Sequence, residues 1–188
     1  HSSSVMISNS LPTNPISQVL DLEYNGKRGK QKFDLYYPAD DLSRSNIPIV
    51  IWIHGGGWTA GDKSDNAYSI RIAQMGFFVI NTNYTLAPKS PTSYPTVTLP
   101  AETYSVGADD INALVNHIKT SIVEYHGDLT KITIAGGSAG GHLALMQATR
   151  ADNTTEFNCV VNVAGPTDLV SLYQNQDYPA SSFIMSSV

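Results

Sequence analysis

The segment Ile132-Thr-Ile-Ala-Gly-Gly-Ser-Ala-Gly-Gly-His-Leu-Ala144 limits the fold more than any other part of this sequence. A short apolar run reads as a strand, passes directly into a turn with Ser138 at its tip, and a helix begins at once on the far side. A side chain at Gly136 or Gly140 would press on neighbouring backbone where strand and helix come closest, and glycine also tolerates the dihedrals that so tight a reversal needs. Gly136-Gly137-Ser138-Ala139-Gly140 fits the G-x-S-x-G pattern of a nucleophile elbow, in which a strained turn lifts a serine hydroxyl above the end of a parallel sheet. Ser138 then sits at a helix N-terminus, where free N–H groups and the positive dipole end favour a developing negative charge. The plainer reading of the same five residues is a glycine-rich strand-to-helix turn with an incidental serine. The surrounding chain has to separate the two.

Taken in order, Val19–Tyr24 and Lys32–Tyr37 alternate with the period of strands on either side of Asn25-Gly26-Lys27-Arg28-Gly29, which predicts an antiparallel hairpin. Ile49–Ile53 is a continuous apolar run of the kind buried on both faces of a parallel sheet. A helix is expected over Asp65–Met75, capped at Ser64 or Asp65 and closed by Gly76, followed by a strand over Phe77–Asn81. Thr85–Tyr104, with its prolines and no regular period, reads as a long surface loop. Val106–Val123 is a helix whose Ile111, Leu114, Val115, Ile118 and Ile122 form a core-facing stripe, with Asp109 and Asp110 favouring its N-terminal dipole. Lys131–Ala135 is the strand feeding Ser138, Ser138–Ala148 the helix after it, and Phe157–Ala164 a further strand, beyond which the pattern fades from Gly165 onward. Alternating strands and helices after an opening hairpin imply an α/β fold, a mostly parallel sheet with helices on both faces and its chemistry at the carboxyl ends of the strands.

Composition narrows the function. The net charge of -5 with 11 Lys plus Arg gives no nucleic-acid-binding face, and no apolar run approaches the ~20 residues of a membrane span. The chain reads as soluble, without a signal-peptide profile, so the cytoplasm is favoured over secretion. Cys159, the single cysteine, excludes an internal disulfide and lies in an apolar run, so it reads as a small buried hydrophobe before a reactive thiol. Nothing in the sequence asks for a metal or another cofactor.

A second glycine-rich stretch, His54-Gly55-Gly56-Gly57-Trp58, follows the Ile49–Ile53 strand, so its backbone can approach a substrate above Ser138 with no side chains in the way. It suits an oxyanion hole in which the N–H groups of Gly56 and Gly57, with that of Ala139 from the Ser138 turn, hold the oxygen of a tetrahedral intermediate. Phosphate binding is the competing use of such a loop, but the G-x-x-x-x-G-K-[ST] and G-x-G-x-x-G patterns are absent.

The pair of motifs, His54–Trp58 and then Gly136–Gly141, resembles the α/β-hydrolase superfamily. Specifically it is similar to the carboxylesterases of the hormone-sensitive-lipase-like group and their neighbours, the acetyl and feruloyl esterases and kynurenine formamidases. Trp58-Thr-Ala-Gly-Asp-Lys63 favours those neighbours, and Asn83–Pro88 and His126–Ile132 resemble further family segments. The resemblance covers roughly Val19 to Leu169. It implies a serine hydrolase that cleaves small carboxylic esters through an acyl-enzyme at Ser138, with an arylformamidase-type amidohydrolase as an alternative. It makes His54 a loop-shaping residue. Trp58 packs under or beside the acyl site, or simply in the core. Asp168, in Thr167-Asp168-Leu169, falls in a segment that is usually structural.

In this superfamily the order is nucleophile, acid, histidine. The 188-residue sequence leaves 50 residues after Ser138, whereas two further strand-and-helix units of about 30 residues each would be needed to reach both partners. The one histidine after the serine, His142, is fixed to the helix about 6 Å along its axis from Ser138. His117 and His126 precede the turn and read as helix-end and loop residues. The expected organisation is therefore a lead-in over residues 1–17, its first four resembling a tag remnant, and an α/β-hydrolase domain over 18–188 that is incomplete at its C-terminal end. The triad acid and histidine lie outside the chain, which alone is expected to be inactive. The other class of function is a catalytically incomplete, hydrolase-like binding module. Either way the strand over 157–164 presents an apolar edge, open to self-association or to a complementing C-terminal segment.

Overall fold

A computed structural model describes residues 14–39, 46–87, 104–122, 125 and 127–169. Its elements are β1 (Ile16–Gly26), β2 (Gly29–Pro38), β3 (Ile47–Ile53), α1 (Ala67–Gln74), β4 (Phe78–Thr82), α2 (Ser105–Ser121), β5 (Gly127–Gly137), α3 (Ala139–Thr149) and β6 (Cys159–Val163). The strands form one sheet in the order β1-β2-β4-β3-β5-β6. β1 and β2 are the expected hairpin, β2 pairs antiparallel with β4, and β4, β3, β5 and β6 run parallel.

The apolar run of β3 explains its place between β4 and β5. Ile49, Ile51 and Ile53 face one side, with Leu35, Phe78, Ile80 and Ile134, and meet Ile111, Leu114 and Ile118 of α2 and Leu143 of α3. Val50 and Trp52 face the other side, with Tyr36, Val79 and Ala135, and meet Ala73 and Ile70 of α1. Burying one such side chain contributes about 1.5–3 kcal/mol, so a strand covered on both faces anchors the sheet. Both glycine-rich motifs leave this centre side by side, one after Ile53 and one after its register partner Gly136.

Several local expectations need correction. α1 starts at Ala67 with Asn66 as its N-cap, because Ser64 and Asp65 are already used in a turn against Asp62: the Ser64 N–H donates to the Asp62 carboxylate at 2.8 Å and the Asp65 N–H to its carbonyl at 3.1 Å. α2 starts at Ser105, which puts Asp109 and Asp110 beyond its first turn. Asp110 is fully buried and accepts the backbone N–H groups of Lys27 and Thr85, while Asp109 pairs with Lys27 and Arg150 at 2.7 and 3.0 Å. These carboxylates join the hairpin turn and the chain after β4 to the helix; they do not serve a helix dipole. The alternation of β1 is broken by a bulge between Val19 and Leu22, where Asp21 takes φ 59°.

Cys159 is exposed, contrary to the sequence expectation. Register sets Cys159, Val161 and Val163 beside Thr133, Ala135 and Gly137, on the sheet face that carries α1. Among the described residues no helix reaches β5 and β6 on that face, so Val161 and Val163 are 39% and 41% exposed, whereas Val160 turns toward the main core. No helix of the described residues is long and apolar enough to cross a membrane.

Candidate functional site

Ser138 stands between β5 and α3 with φ 51° and ψ -120°. Those are the dihedrals of the first central position of a type II′ turn, which glycine favours and serine does not. Neighbouring backbone forces the conformation. A Cβ on Gly136 would strike the backbone of Gly140, and one on Gly140 would strike the carbonyls of Ile53 and His54, so β5, α3 and the end of β3 meet without side chains between them. The Ser138 N–H donates to the Val163 carbonyl at 2.9 Å, and the Ser138 carbonyl accepts from the His142 N–H at 3.1 Å. Ser138 is the N-cap of α3, yet its hydroxyl makes no capping bond. A capping serine in the ordinary extended conformation would spend that hydroxyl on the helix; here it is exposed above buried Gly136, Ala139 and Gly140. Ala139, first in the helix, has no helical acceptor for its own N–H.

The loop after β3 lies against this turn: a Cβ on Gly55 would be 2.9 Å from the Gly137 carbonyl and 3.3 Å from the Ser138 Cβ. Its carbonyls are consumed internally. The Gly56 carbonyl accepts from the Thr59 and Ala60 N–H groups at 3.2 and 3.0 Å, and the Gly55 carbonyl accepts from His54 Nδ1 at 2.7 Å. In a trans peptide the carbonyl and the following N–H point in opposite directions. The N–H groups of Gly56 and Gly57 therefore point away from the interior of the turn that holds those carbonyls.

His54 is buried, stacked on Tyr84 with ring centroids 4.5 Å apart, and burial holds its pKa below the usual 6.5 despite the Gly55 hydrogen bond. The Tyr84 hydroxyl donates to the His54 carbonyl at 3.3 Å, and burial pushes its own pKa up. Trp58, at φ 61° and 2% exposed, directs its ring edge-on to His142 at 5.4 Å, and its carbonyl accepts from the Ala87 N–H at 2.8 Å. His142 is held between Trp58 and Tyr104, whose ring lies 5.8 Å away, and burial lowers its pKa. Among the described residues neither the indole Nε1 nor His142 Nδ1 has a hydrogen-bond partner, so no described carboxylate orients this imidazole through Nδ1.

Sequence reasoning missed the supports of the loop. Lys63 is 8% exposed, and its ammonium lies 2.7 Å from Asp34 and 3.0 Å from Asp21. Burial disfavours its charge, but hydrogen bonds and charge from Asp34 and Asp21 outweigh that, and its pKa is raised. Asn81, Asn83 and Tyr84 were equally silent, although Asn83-Tyr84 stands out within a family-like segment. Their partners are 18 to 30 positions away in sequence, at Lys63 and His54, and no local spacing encodes such a contact. Asn162 brackets Gly165, accepting from its N–H at 2.7 Å and donating to its carbonyl at 3.0 Å, and so sets the exit of β6 beside the Ser138 turn.

His117, toward the C-terminal end of α2, rests edge-on against Phe33 at 5.9 Å, and Asp168 is exposed. His126 and most of the Thr85–Tyr104 loop lie outside the described residues. A cleft lined by Leu22, Phe33, His117 and Tyr125 shares no residue with either glycine-rich motif, and chemistry at Ser138 would not use it.

The family model BD-FAE matches residues 33–187. Esterase LipQ of Mycobacterium tuberculosis (strain ATCC 25618 / H37Rv) is 29% identical over 139 residues, 73% of this chain and 30% of that protein. Kynurenine formamidase of Danio rerio is 26% identical over 169 residues, 84% of this chain and 50% of that protein. The chain thus spans 30% to 50% of the length of these two relatives. Among solved structures, esterase B from Lactobacillus rhamnosis (HN001) superposes with a TM-score of 0.73 over 94% of this chain and 56% of its own, and at 24% identity shows a shared fold. A bacterial heroin esterase is 27% identical, with a TM-score of 0.55 over 72% of this chain and 39% of its own. On the match over residues 33–187 the chain belongs to the BD-FAE family, and it has the α/β-hydrolase fold of the solved structures it resembles.

Proposed function

We propose that the complete protein is a carboxylesterase-type serine hydrolase whose nucleophile is Ser138. The observation that carries this reading is Ser138 itself, held at φ 51° and ψ -120° with its hydroxyl spared from capping and the glycine loop packed beside it. Its Oγ adds to the ester carbonyl and gives its proton to a base. The N–H groups of Gly56, Gly57 and Ala139 hold the resulting oxyanion. Collapse expels the alcohol, which takes the proton back from the base. Water, deprotonated by the same base, then attacks the acyl-enzyme, and the acid is released as Ser138 Oγ leaves and takes the proton back from the base. Each such donor is worth ~3 kcal/mol in the transition state.

The base and the acid that orients it come from sequence outside these residues. Support for this is the setting of His142, boxed between Trp58 and Tyr104 without a carboxylate partner among the described residues, and the greater length of the relatives. His54 shapes the loop: its Nδ1 is committed to Gly55 and its ring to Tyr84. Trp58 is buried beside the site, in keeping with packing beneath the acyl group. In the complete protein a C-terminal complementing segment covers the apolar row of β6, with self-association as the alternative.

A serine-directed phosphonate should add to the full-length wild type and not to Ser138→Ala; equal labelling of both defeats the assignment. If a folded full-length protein takes no phosphonate at all, the non-catalytic binding module is the reading that remains. The substrates are small neutral or aromatic acyl esters, so a series of nitrophenyl esters should give a maximum at short chains, and a maximum at long chains refutes this. The Danio rerio relative, aligned over 84% of the chain, favours the formamidase alternative enough to include an N-formylated aromatic amine in the series.

A further inference from the structure

Three consecutive glycines have no side chains with which to fix themselves, so their placement depends on His54 and Trp58 beside them and on the two ends of the loop. One end of the His54–Asp62 loop is β3. The other is Lys63, and three bonds tie that residue to the sheet. Its ammonium bonds Asp34 of β2 at 2.7 Å, its N–H donates to the Asn83 side chain at 2.6 Å, and its carbonyl accepts from the Asn81 side chain of β4 at 2.6 Å. Asp34 and Asn81 are register partners on neighbouring strands, so these bonds fix Lys63 above one point of the sheet. Asp34, 3% exposed, also accepts the Asp21 N–H at 2.9 Å, and the β1 bulge brings the Asp21 carboxylate within 3.0 Å of the ammonium. Between this anchor and the glycines stands Gly61, at φ 97°, where a Cβ would strike the Gly55 carbonyl and the His54 ring. A displacement at Lys63 is therefore passed to the Gly55 and Gly56 peptides by direct contact.

We infer that Lys63 is a positioning residue for the oxyanion donors: its ion pair with Asp34 and Asp21 sets where the N–H groups of Gly56 and Gly57 lie relative to Ser138. The inference rests on the proposed role of those donors. It differs from a plain stabilising role because a buried ion pair is a poor source of stability, and a well-packed neutral replacement of both partners is often neutral or better. Removing only one partner is costly because it strands a buried charge. Oxyanion donors act on the transition state more than on bound ester, so misplacing them lowers kcat and leaves KM nearly unchanged. A shift of about 1 Å in such a group costs up to about 100-fold.

The test uses the full-length protein with a short-chain nitrophenyl ester. Four forms are compared: wild type, Lys63→Met, the double variant Lys63→Met/Asp34→Asn, and Ser138→Ala. Asn at 34 keeps an acceptor for the Asp21 N–H while removing the charge. Lys63→Met should lose about 10- to 100-fold in kcat with KM within about twofold, and should melt earlier. The double variant should recover the melting temperature but not kcat. Recovery of both together makes Lys63 a stability residue only and overturns the inference, as does Lys63→Met with undiminished kcat or a double variant that cannot fold. The Ser138→Ala arm separates the two levels: if it retains turnover, the functional reading fails, whereas its inactivity beside a fully active Lys63→Met sinks the positioning role alone.

Discussion

Ser138 holds a backbone conformation that costs a non-glycine residue on the order of 1–3 kcal/mol. The cost is tolerated because the backbones of Gly136, Gly140, Ile53 and His54 leave the turn no other path. Ser138→Gly is therefore expected to raise the unfolding free energy by about 1 kcal/mol while abolishing phosphonate labelling, measured by urea denaturation beside the labelling assay. An unchanged or lower stability would mean that the turn is not strained. The buried histidines give a pH dependence. Burial lowers the pKa of both His54 and His142 below 6.5 in the folded state. As the pH falls through 6.5 the unfolded chain takes up protons that the native state refuses, so stability declines from about pH 7.5 downward until the folded values are passed. The lowered carboxylates, such as Asp21 beside Lys63, act only at more acid pH. Urea midpoints between pH 8 and 5 should fall, and His142→Leu should flatten part of that slope; a flat wild-type profile would contradict it.

Among the elements, β6 makes the clearest demand. Its Cys159, Val161 and Val163 share one exposed face, so the cysteine can report on whatever covers the valines. In the 188-residue chain Cys159 should react with iodoacetamide as an exposed thiol at low protein concentration and become protected as the chain associates. Val161→Lys/Val163→Lys should keep the thiol reactive at all concentrations and hold the chain monomeric in sedimentation. Protection that persists in the double-lysine variant would place association elsewhere. The sequence made much of this architecture legible. Ile49–Ile53 reads as a central strand because it is apolar at every position, and the Ser138 turn reads as strand-to-helix because glycines flank the serine. The exposure of Cys159 was not legible, since a valine-rich run looks the same whether or not a helix covers it. Nor were the buried roles of Asp110, Asp34 and Lys63, because each carboxylate finds its partners far away in sequence and a charged residue alone reads as surface. The glycine motifs were visible as a local pattern; the scaffold that aims them is tertiary.

For the whole molecule, the described residues supply the proposed nucleophile and the proposed backbone donors but no oriented base. A serine at its free pKa is a weak nucleophile, and loss of the histidine from such a unit costs on the order of 10⁶ in kcat. The 188 residues alone should therefore turn over nitrophenyl esters slower than the full-length protein by a factor of that order, in assays matched for protein shown intact by mass. Comparable rates would mean that His142 serves as the base after all.

The bond from the Ser138 N–H to the Val163 carbonyl has a consequence in time as well as in space. A ribosome delivers Val163 only 25 residues after Ser138, an interval of about 1 to 5 s at ordinary synthesis rates. Until then the serine has been made but its turn lacks one of its clamps. The turn is thus completed late, by a strand translated after it.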